Sequence, residues 1–111
     1  MYTDDTTPLY AISVAAQLTG LHPQTLRQYD RLGLVSPQRT NGRNRLYSAR
    51  DVERLREVSR LSAEGVSIEG IRRVLALQEE VEALRDQLQA YAREKASTSL
   101  VLWNPQRRRR A

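Results

Sequence analysis

A run of polar side chains between Pro23 and Leu32 has the types and spacing needed to contact a polyanion. If the segment is helical, Leu26, Tyr29 and Leu32 share one face, at steps of three residues. The opposite face presents amides, a hydroxyl and guanidiniums from Gln24, Thr25, Gln28, Arg27 and Arg31. Side-chain amides can hydrogen-bond to the edge of adenine, and hydroxyls can hydrogen-bond to any of the bases. Guanidiniums pair well with phosphates. The pattern therefore predicts a helix that contacts nucleic acid.

Each of these side chains also has an interpretation that needs no nucleic acid. We expect base-edge or nearby phosphate contacts from Gln24, Thr25 and Gln28, and phosphate contacts from Arg27 and the Tyr29 hydroxyl. The simplest alternative is an amphipathic helix with a solvated polar face. Arg27 could also be structural, paired with Asp30 or Asp51.

The composition excludes most catalytic chemistry. The 111-residue chain contains no cysteine and a single histidine, so thiol catalysis, cysteine-ligated zinc and iron–sulfur clusters are excluded. No nucleophile–base set, paired carboxylates or phosphate-binding loop is recognisable. We therefore expect no enzymatic activity, no metal and no cofactor.

The distribution of charge points to the first part of the chain. The formal net charge is +5, but residues 51 to 95 carry eight basic and ten acidic side chains. Residues 1 to 50 carry six arginines against three acids, and residues 96 to 111 carry four arginines and no acid. Together with the absence of a signal peptide or apolar span, this predicts a cytoplasmic protein whose nucleic-acid contacts lie in the first fifty residues.

Two short helices separated by a glycine-containing turn position the polar face. Ser13 is expected to cap the first helix, with Val14, Ala15 and Leu18 inward and Gly20 at its end. For the second helix, His22 is the predicted N-cap, Pro23 the first helical residue and Gly33 the terminator. This arrangement is typical of a helix-turn-helix.

A basic β-hairpin is predicted next. Asn41-Gly42 is a strong two-residue turn signal because both turn positions need a positive φ. The flanking Arg43 and Arg45 are expected to contact phosphate or the minor groove, although the hairpin could be merely solvated. Tyr47 could contact phosphate or pack against the hairpin.

Two further helices follow the hairpin. Ser48 and Asp51 form a variant of the capping box before a helix with four inward residues, Val52, Leu55, Val58 and Leu61. Ser67 is expected to cap the next helix, with its inward residues at Ile68, Ile71, Val74 and Leu75. Together with the earlier pair, they give a thin aliphatic core.

A heptad pattern predicts dimerisation through the last helix. Apolar residues alternate steps of three and four at Val74, Leu77, Val81, Leu84, Leu88 and Tyr91. This period indicates a coiled-coil seam. The alternative is a helix folded back on its own domain, and the charge pattern alone leaves the direction of pairing open.

The chain divides into four predicted segments. Residues 1–9 are expected to be a flexible leader, 10–76 a winged helix-turn-helix domain, 77–96 a dimerisation helix and 97–111 a tail. The tail combines a run of apolar residues, Leu100, Val101, Leu102 and Trp103, with four arginines. The apolar run could bind a chaperone or cover the dimer seam, and the arginines could be solvated or contact phosphate.

The motifs in residues 25–37 and 43–52 resemble the DNA-binding domain of the MerR family. The matching residues run from Thr25 through Tyr29-Asp30-Arg31 to Pro37, followed by Arg43 to Ser48 and Asp51-Val52. Residues 12–16, 29–37, 64–66 and 100–103 further resemble the heat-shock repressor branch of that family, HspR. Two departures are Gln28, where the family usually has Tyr, and His22, where it usually has Ser.

The resemblance implies a mainly α fold, a winged helix-turn-helix with a short β-hairpin wing and a coiled-coil helix. It also implies a homodimer with an antiparallel coiled coil, bound to an inverted repeat in double-stranded DNA, and repression of chaperone genes assisted by DnaK. No small-molecule effector is expected. The rival hypotheses are a MerR-type activator, or a coiled-coil adaptor that recruits a chaperone.

Overall fold

The secondary structure is mainly helical, with one small sheet. The structure, a computed structural model, describes residues 4–41 and 44–98. These residues form strands Pro8–Ala11 (β1), Gln38–Thr40 (β2) and Asn44–Ser48 (β3), and helices Ile12–Thr19 (α1), Pro23–Arg31 (α2), Ala49–Ala63 (α3) and Ile68–Thr98 (α4). The predicted fold class is thereby confirmed. None of the helices in the described residues is long and apolar enough to cross a membrane.

The limits of α2 follow from local chemistry as predicted. His22 accepts the backbone N–H of Gln24 at its Nδ1 atom, 3.1 Å away, and Pro23 occupies the first helical position, where no amide proton is needed. Gly20 and Gly33 have φ values of 72° and 74°. Because side chains disfavour this left-handed region, the two glycines end α1 and follow the last turn of α2.

The start and the buried face of α1 differ from the prediction. The N-cap is Ala11, without a side-chain cap, so the cap predicted at Ser13 is wrong. Ala15 and Ala16 are buried, whereas Val14 and Leu18 are 40% and 43% exposed. The small alanine side chains lie where α1 packs on α2 and α3. Close packing of the helices at that position favours small side chains over larger and more hydrophobic ones.

The sheet contains a strand that was not predicted. β3 lies between β1 and β2, and both neighbours are antiparallel to it. The end of the expected flexible leader therefore belongs to the sheet, since Pro8 pairs with Ser48. Upstream, the backbone carbonyl of Asp5 accepts the Arg50 N–H at 2.9 Å. These partners are forty or more positions away in sequence, so a local pattern could not reveal them.

The predicted hairpin is present between β2 and β3. Thr40 pairs with Asn44, so the connection is residues 41–43, one residue longer than a two-residue turn. Asn41 has a φ of 50°, as its place in the turn requires. Gly42 and Arg43 lie outside the described residues.

The caps predicted for α3 and α4 are confirmed. Ser48 and Asp51 exchange two 3.0 Å hydrogen bonds between side chain and backbone, and the Ser67 hydroxyl accepts the Gly70 N–H at 3.1 Å. The predicted inward face of α3 is buried at all four positions, and Ile71 and Leu75 are buried on α4. Ile68 is exposed, which contradicts its predicted inward position.

The chain separates into two compact units. Residues up to Leu75 form the first unit, which holds the sheet, α1 to α3 and the beginning of α4. Among the residues that the structure describes, its core is one aliphatic cluster with a single fully buried aromatic residue, Tyr47. The second unit begins at Ala76 and includes the remainder of α4.

Candidate nucleic-acid interface

The polar face of α2 presents a continuous stripe of exposed side chains. Gln24, Gln28 and Arg31 are all exposed and are separated by four and three positions, so they follow one line along the helix. Leu26 on the opposite face is completely buried. Burial of Leu26 fixes the rotation of α2 and leaves the amides and the guanidinium facing outward.

Within this face, Arg27 engages a neighbour on its own helix. Its Nη1 atom donates to Oε1 of Gln24 at 3.1 Å. The alternative in which Arg27 pairs with Asp30 or Asp51 is not what the structure shows. Oε1 of Gln24 accepts this bond, and the amide N–H₂ of Gln24 remains able to donate to a partner.

Asp30 joins α2 to the hairpin. Its Oδ2 atom accepts hydrogen bonds from Nη2 of Arg39 and from Nε of Arg45, both at 2.8 Å. Arg39 and Arg45 are directly paired across β2 and β3, where two like charges repel each other. The carboxylate offsets this repulsion and ties the hairpin to the helix that carries the exposed stripe.

The two arginines of this junction differ in their burial and in the nitrogen that donates to Asp30. The side chains of Asp30 and Arg45 are only 13% and 19% exposed, whereas that of Arg39 is 44% exposed. Arg45 uses its Nε, so the outer nitrogens of its guanidinium are not consumed by this bond. Arg39, in contrast, is held through a terminal nitrogen.

The two tyrosines proposed as contacts lie in different environments. Tyr29 is half-buried and packs against the core, as expected for a ring that faces inward, and Thr25 is also half-buried. Tyr47 is completely buried, and its hydroxyl has no hydrogen-bond partner among the described residues. Burial raises the pKa of Tyr47 to about 12. The packing alternative therefore describes Tyr47, and a phosphate contact from its hydroxyl is inconsistent with this structure.

Several interface residues were missed or lie outside the described part. Asp30 and Arg39 were not assigned as site residues, and Arg31 was recognised only as outward-facing. A two-residue turn at Asn41-Gly42 would have paired Arg39 with Asn44, so the sequence indicated neither the pairing of Arg39 with Arg45 nor their shared contact with Asp30. Arg43 and the apolar run at residues 100–103 lie outside the described residues.

The resulting surface is strongly basic. In the described residues of α2 and the hairpin, four guanidiniums stand against one carboxylate. Their contributors are Arg27, Arg31, Arg39, Arg45 and Asp30. Such a surface can attract phosphates, while the amides of α2 can hydrogen-bond to base edges.

In α4, most of the predicted heptad residues form an exposed apolar stripe, which is distinct from the exposed polar stripe on α2. Five of them, Leu77, Val81, Leu84, Leu88 and Tyr91, are exposed in the single chain. Val74 differs because it packs against the core of the first unit. Lys95 lies over the ring of Tyr91, with its Nζ atom 5.8 Å from the centroid.

Comparison with known proteins relates this geometry to a family of regulators. The family described as MerR HTH family regulatory protein matches residues 10–78. A Streptomyces coelicolor protein designated heat shock protein HspR is 64% identical over 84 residues, which are 75% of this chain. The matched region is 55% of that relative, so the chain spans about half of its length.

Two solved structures share the fold. The lead(II) complex of the transcription regulator PbrR691 from Ralstonia metallidurans has a TM-score of 0.58 and 29% identity, covering 85% of this chain and 79% of that chain. MtaN, the N-terminus of a Bacillus subtilis multidrug transporter activator, has a TM-score of 0.54 and 27% identity, covering 86% of this chain and 99% of that one. The chain therefore belongs to the MerR family of helix-turn-helix regulatory proteins.

Proposed function

We propose that the protein is a homodimeric, sequence-specific repressor of heat-shock genes that binds an inverted repeat in double-stranded DNA. The observation that carries this proposal is the exposed stripe on α2 beside an arginine-bearing hairpin. Sequence-specific binding requires groups that read bases and groups that hold the backbone. This surface supplies both.

In this proposal, α2 lies in the major groove. Gln24, Thr25 and Gln28 contact base edges or nearby phosphates, because their side chains are the hydrogen-bonding groups that remain short and uncharged on this face. Arg27 and the hydroxyl of Tyr29 contact phosphates. Arg27 also orients Gln24 through their 3.1 Å hydrogen bond, so that Gln24 presents donors to acceptors in the groove.

The hairpin acts as the wing and contacts the backbone. Arg45 is anchored to Asp30 by its Nε, which leaves the outer N–H groups of its guanidinium for a phosphate. Arg43 belongs to the same loop by sequence and is proposed to contribute a second contact. Each such contact should add to the salt dependence of binding.

Dimerisation through α4 explains the exposed apolar stripe. Residues Leu77 to Tyr91 would otherwise leave five large side chains in water. Their heptad spacing suits packing against a second copy, and we propose that the two helices are antiparallel. A two-fold dimer presents two α2 helices, which is why the expected target is an inverted repeat.

The heat-shock role is supported by similarity rather than by geometry. The relative designated HspR shares 64% identity with this chain over 84 residues. We propose that the protein controls chaperone genes in the cytoplasm. We further propose that DnaK acts as co-repressor by binding the apolar residues Leu100 to Trp103. Free DnaK would then strengthen repression until unfolded proteins compete for it.

An activator is the second candidate, because MtaN is the N-terminus of a protein described as an activator and matches 86% of this chain. Operator position separates the two functions. A repressor lowers transcription from a reporter promoter that contains its site, whereas a MerR-type activator raises it from a promoter whose spacer holds the site.

Selection of duplexes from a random library tests the proposed binding directly. The purified protein should enrich an inverted repeat and bind it at least about 1000-fold more tightly than a scrambled duplex of equal length. Mutating one half-site should weaken binding sharply. Equal, salt-sensitive affinity for all duplexes would contradict sequence-specific binding and favour the adaptor hypothesis.

A further inference from the structure

The junction at Asp30 joins three elements through one carboxylate oxygen. Arg39 comes from β2, Arg45 from β3 and Asp30 from α2, and both guanidiniums donate to Oδ2 at 2.8 Å. An unpaired carboxylate on a DNA-facing helix would repel phosphates. Here it is paired twice, so the local charge is reduced by one unit without exposing a bare anion.

The two arginines are held in different ways. Arg39 donates from the terminal nitrogen Nη2, the end of the side chain that would otherwise reach a phosphate. Arg45 donates from Nε, so this bond uses neither of its terminal nitrogens. One bond therefore occupies a terminal nitrogen of Arg39, while the other holds Arg45 by its inner nitrogen.

We propose that Asp30 is a positioning residue for DNA specificity: it withholds Arg39 from the phosphate backbone and aims Arg45. The inference rests on the proposed DNA-binding function. Non-specific affinity comes almost entirely from the number of phosphates neutralised. Withholding Arg39 lowers the number of phosphates neutralised on every DNA sequence. Aiming Arg45 restricts its phosphate contact to complexes in which α2 lies in the major groove.

The variant Asp30→Asn tests this inference because it keeps the shape of the side chain and removes its charge. We expect tighter binding to a scrambled duplex, by about tenfold at 0.1 M salt, and a salt slope steeper by about 2 for the dimer. Discrimination between the selected repeat and the scrambled duplex should fall. A merely structural role predicts the opposite, since a disordered junction would weaken binding to both duplexes.

A matched control separates local release of arginine from a change in net charge. Glu53→Gln on α3 makes the same charge change and removes the 3.0 Å ion pair with Arg56. It should leave the slope on the scrambled duplex unchanged, apart from a small long-range effect. A steepening equal to that of Asp30→Asn would overturn the proposal.

Two further variants test whether Arg39 is the released cation. Adding R39Q to D30N should return the slope to near the wild-type value. R39Q alone should leave the wild-type slope unchanged, because Arg39 is already withheld, and this exposed position remains testable even if D30N fails to fold. A slope shallower by about 2 for R39Q alone would show that Arg39 already binds phosphate, which would overturn the inference.

Failure of the proposed function is recognised separately. It would appear if the wild-type protein bound the selected repeat and the scrambled duplex equally well. The inference about Asp30 depends instead on how the variants differ in their binding to the scrambled duplex. An unchanged or shallower slope for a folded D30N protein contradicts the inference even when the wild type discriminates well.

Discussion

The Nδ1 atom of His22 accepts a hydrogen bond from the backbone N–H of Gln24 at 3.1 Å. The helix that carries the proposed base-reading side chains therefore begins at an imidazole cap. One of the otherwise unpaired N–H groups of the first turn is satisfied, and Pro23 removes the need to satisfy another. The position of Gln24 relative to the turn depends on this cap.

Loss of the cap should lower stability. His22→Ala leaves the Gln24 N–H without its acceptor and should lower the free energy of unfolding by about 0.5 to 2 kcal/mol, whereas His22→Ser should preserve most of it. Urea titrations of the three proteins provide the measurement. Equal losses for Ala and Ser would show that the imidazole stabilises the fold by packing rather than by capping.

Replacing the buried Tyr47 hydroxyl should be harmless or stabilising near neutral pH. Tyr47→Phe removes a buried polar group that has no partner in the described residues, so stability should be unchanged or higher by up to about 1 kcal/mol. DNA affinity should not change. A clear loss of affinity, with a shallower salt slope, would show that the hydroxyl reaches a phosphate.

Tyr47→Phe should also change how the free energy of unfolding depends on alkaline pH. Burial raises the pKa of Tyr47 from 10.0 to about 12, so the unfolded chain loses the proton at lower pH than the folded one. The stability contributed by this difference is complete below pH 10 and is lost as pH rises toward 12. In unfolding measurements over this window, Tyr47→Phe should lose less stability than the wild type. Parallel pH profiles would contradict the prediction.

Gln28 is proposed to read a base. Gln28→Ala should lower affinity for the selected repeat by about 1 to 3 kcal/mol for each lost contact and barely change binding to a scrambled duplex. Gln17→Ala, on the exposed surface of α1, is the matched control and should affect neither. Equal losses on the two duplexes would reassign Gln28 to a phosphate contact.

The exposed stripe on α4 is proposed to form the dimer. Leu84→Glu introduces a carboxylate at the middle of the seam, where its burial would cost several kcal/mol in either helix direction. The variant should sediment as a monomer and lose cooperative binding to two half-sites. Ala83→Glu, one position away and outside the heptad stripe, should remain a dimer. A dimeric Leu84→Glu protein would contradict the proposed seam.

Elements with local signals could be predicted from the sequence. His22 and Pro23 defined the start of α2, Ser48 and Asp51 that of α3, and Asn41-Gly42 the hairpin, because in each case the deciding groups lie within a few residues of one another. The buried positions of α3 also followed from spacing alone. These signals were sufficient to identify the polar face of α2.

Features that depend on distant partners could not be predicted in the same way. β1 exists because Pro8 and its neighbours pair with β3, and the burial of Ala16 rather than Val14 depends on which helices approach α1. Asp30 meets Arg39 and Arg45 only after α2 and the hairpin have folded together. The proposed interface thus has a predictable reading helix and a junction that only the tertiary structure reveals.

A footprint of the purified protein on genomic DNA of the source organism tests the central claim most directly. The account predicts protection of an inverted repeat upstream of chaperone genes, with two symmetric protected regions on one face of the duplex, separated by one helical turn or a multiple of it. Both regions should disappear together when Leu84→Glu replaces the wild-type protein. Protection without two-fold symmetry, or uniform protection that salt removes from all sequences alike, would contradict the account.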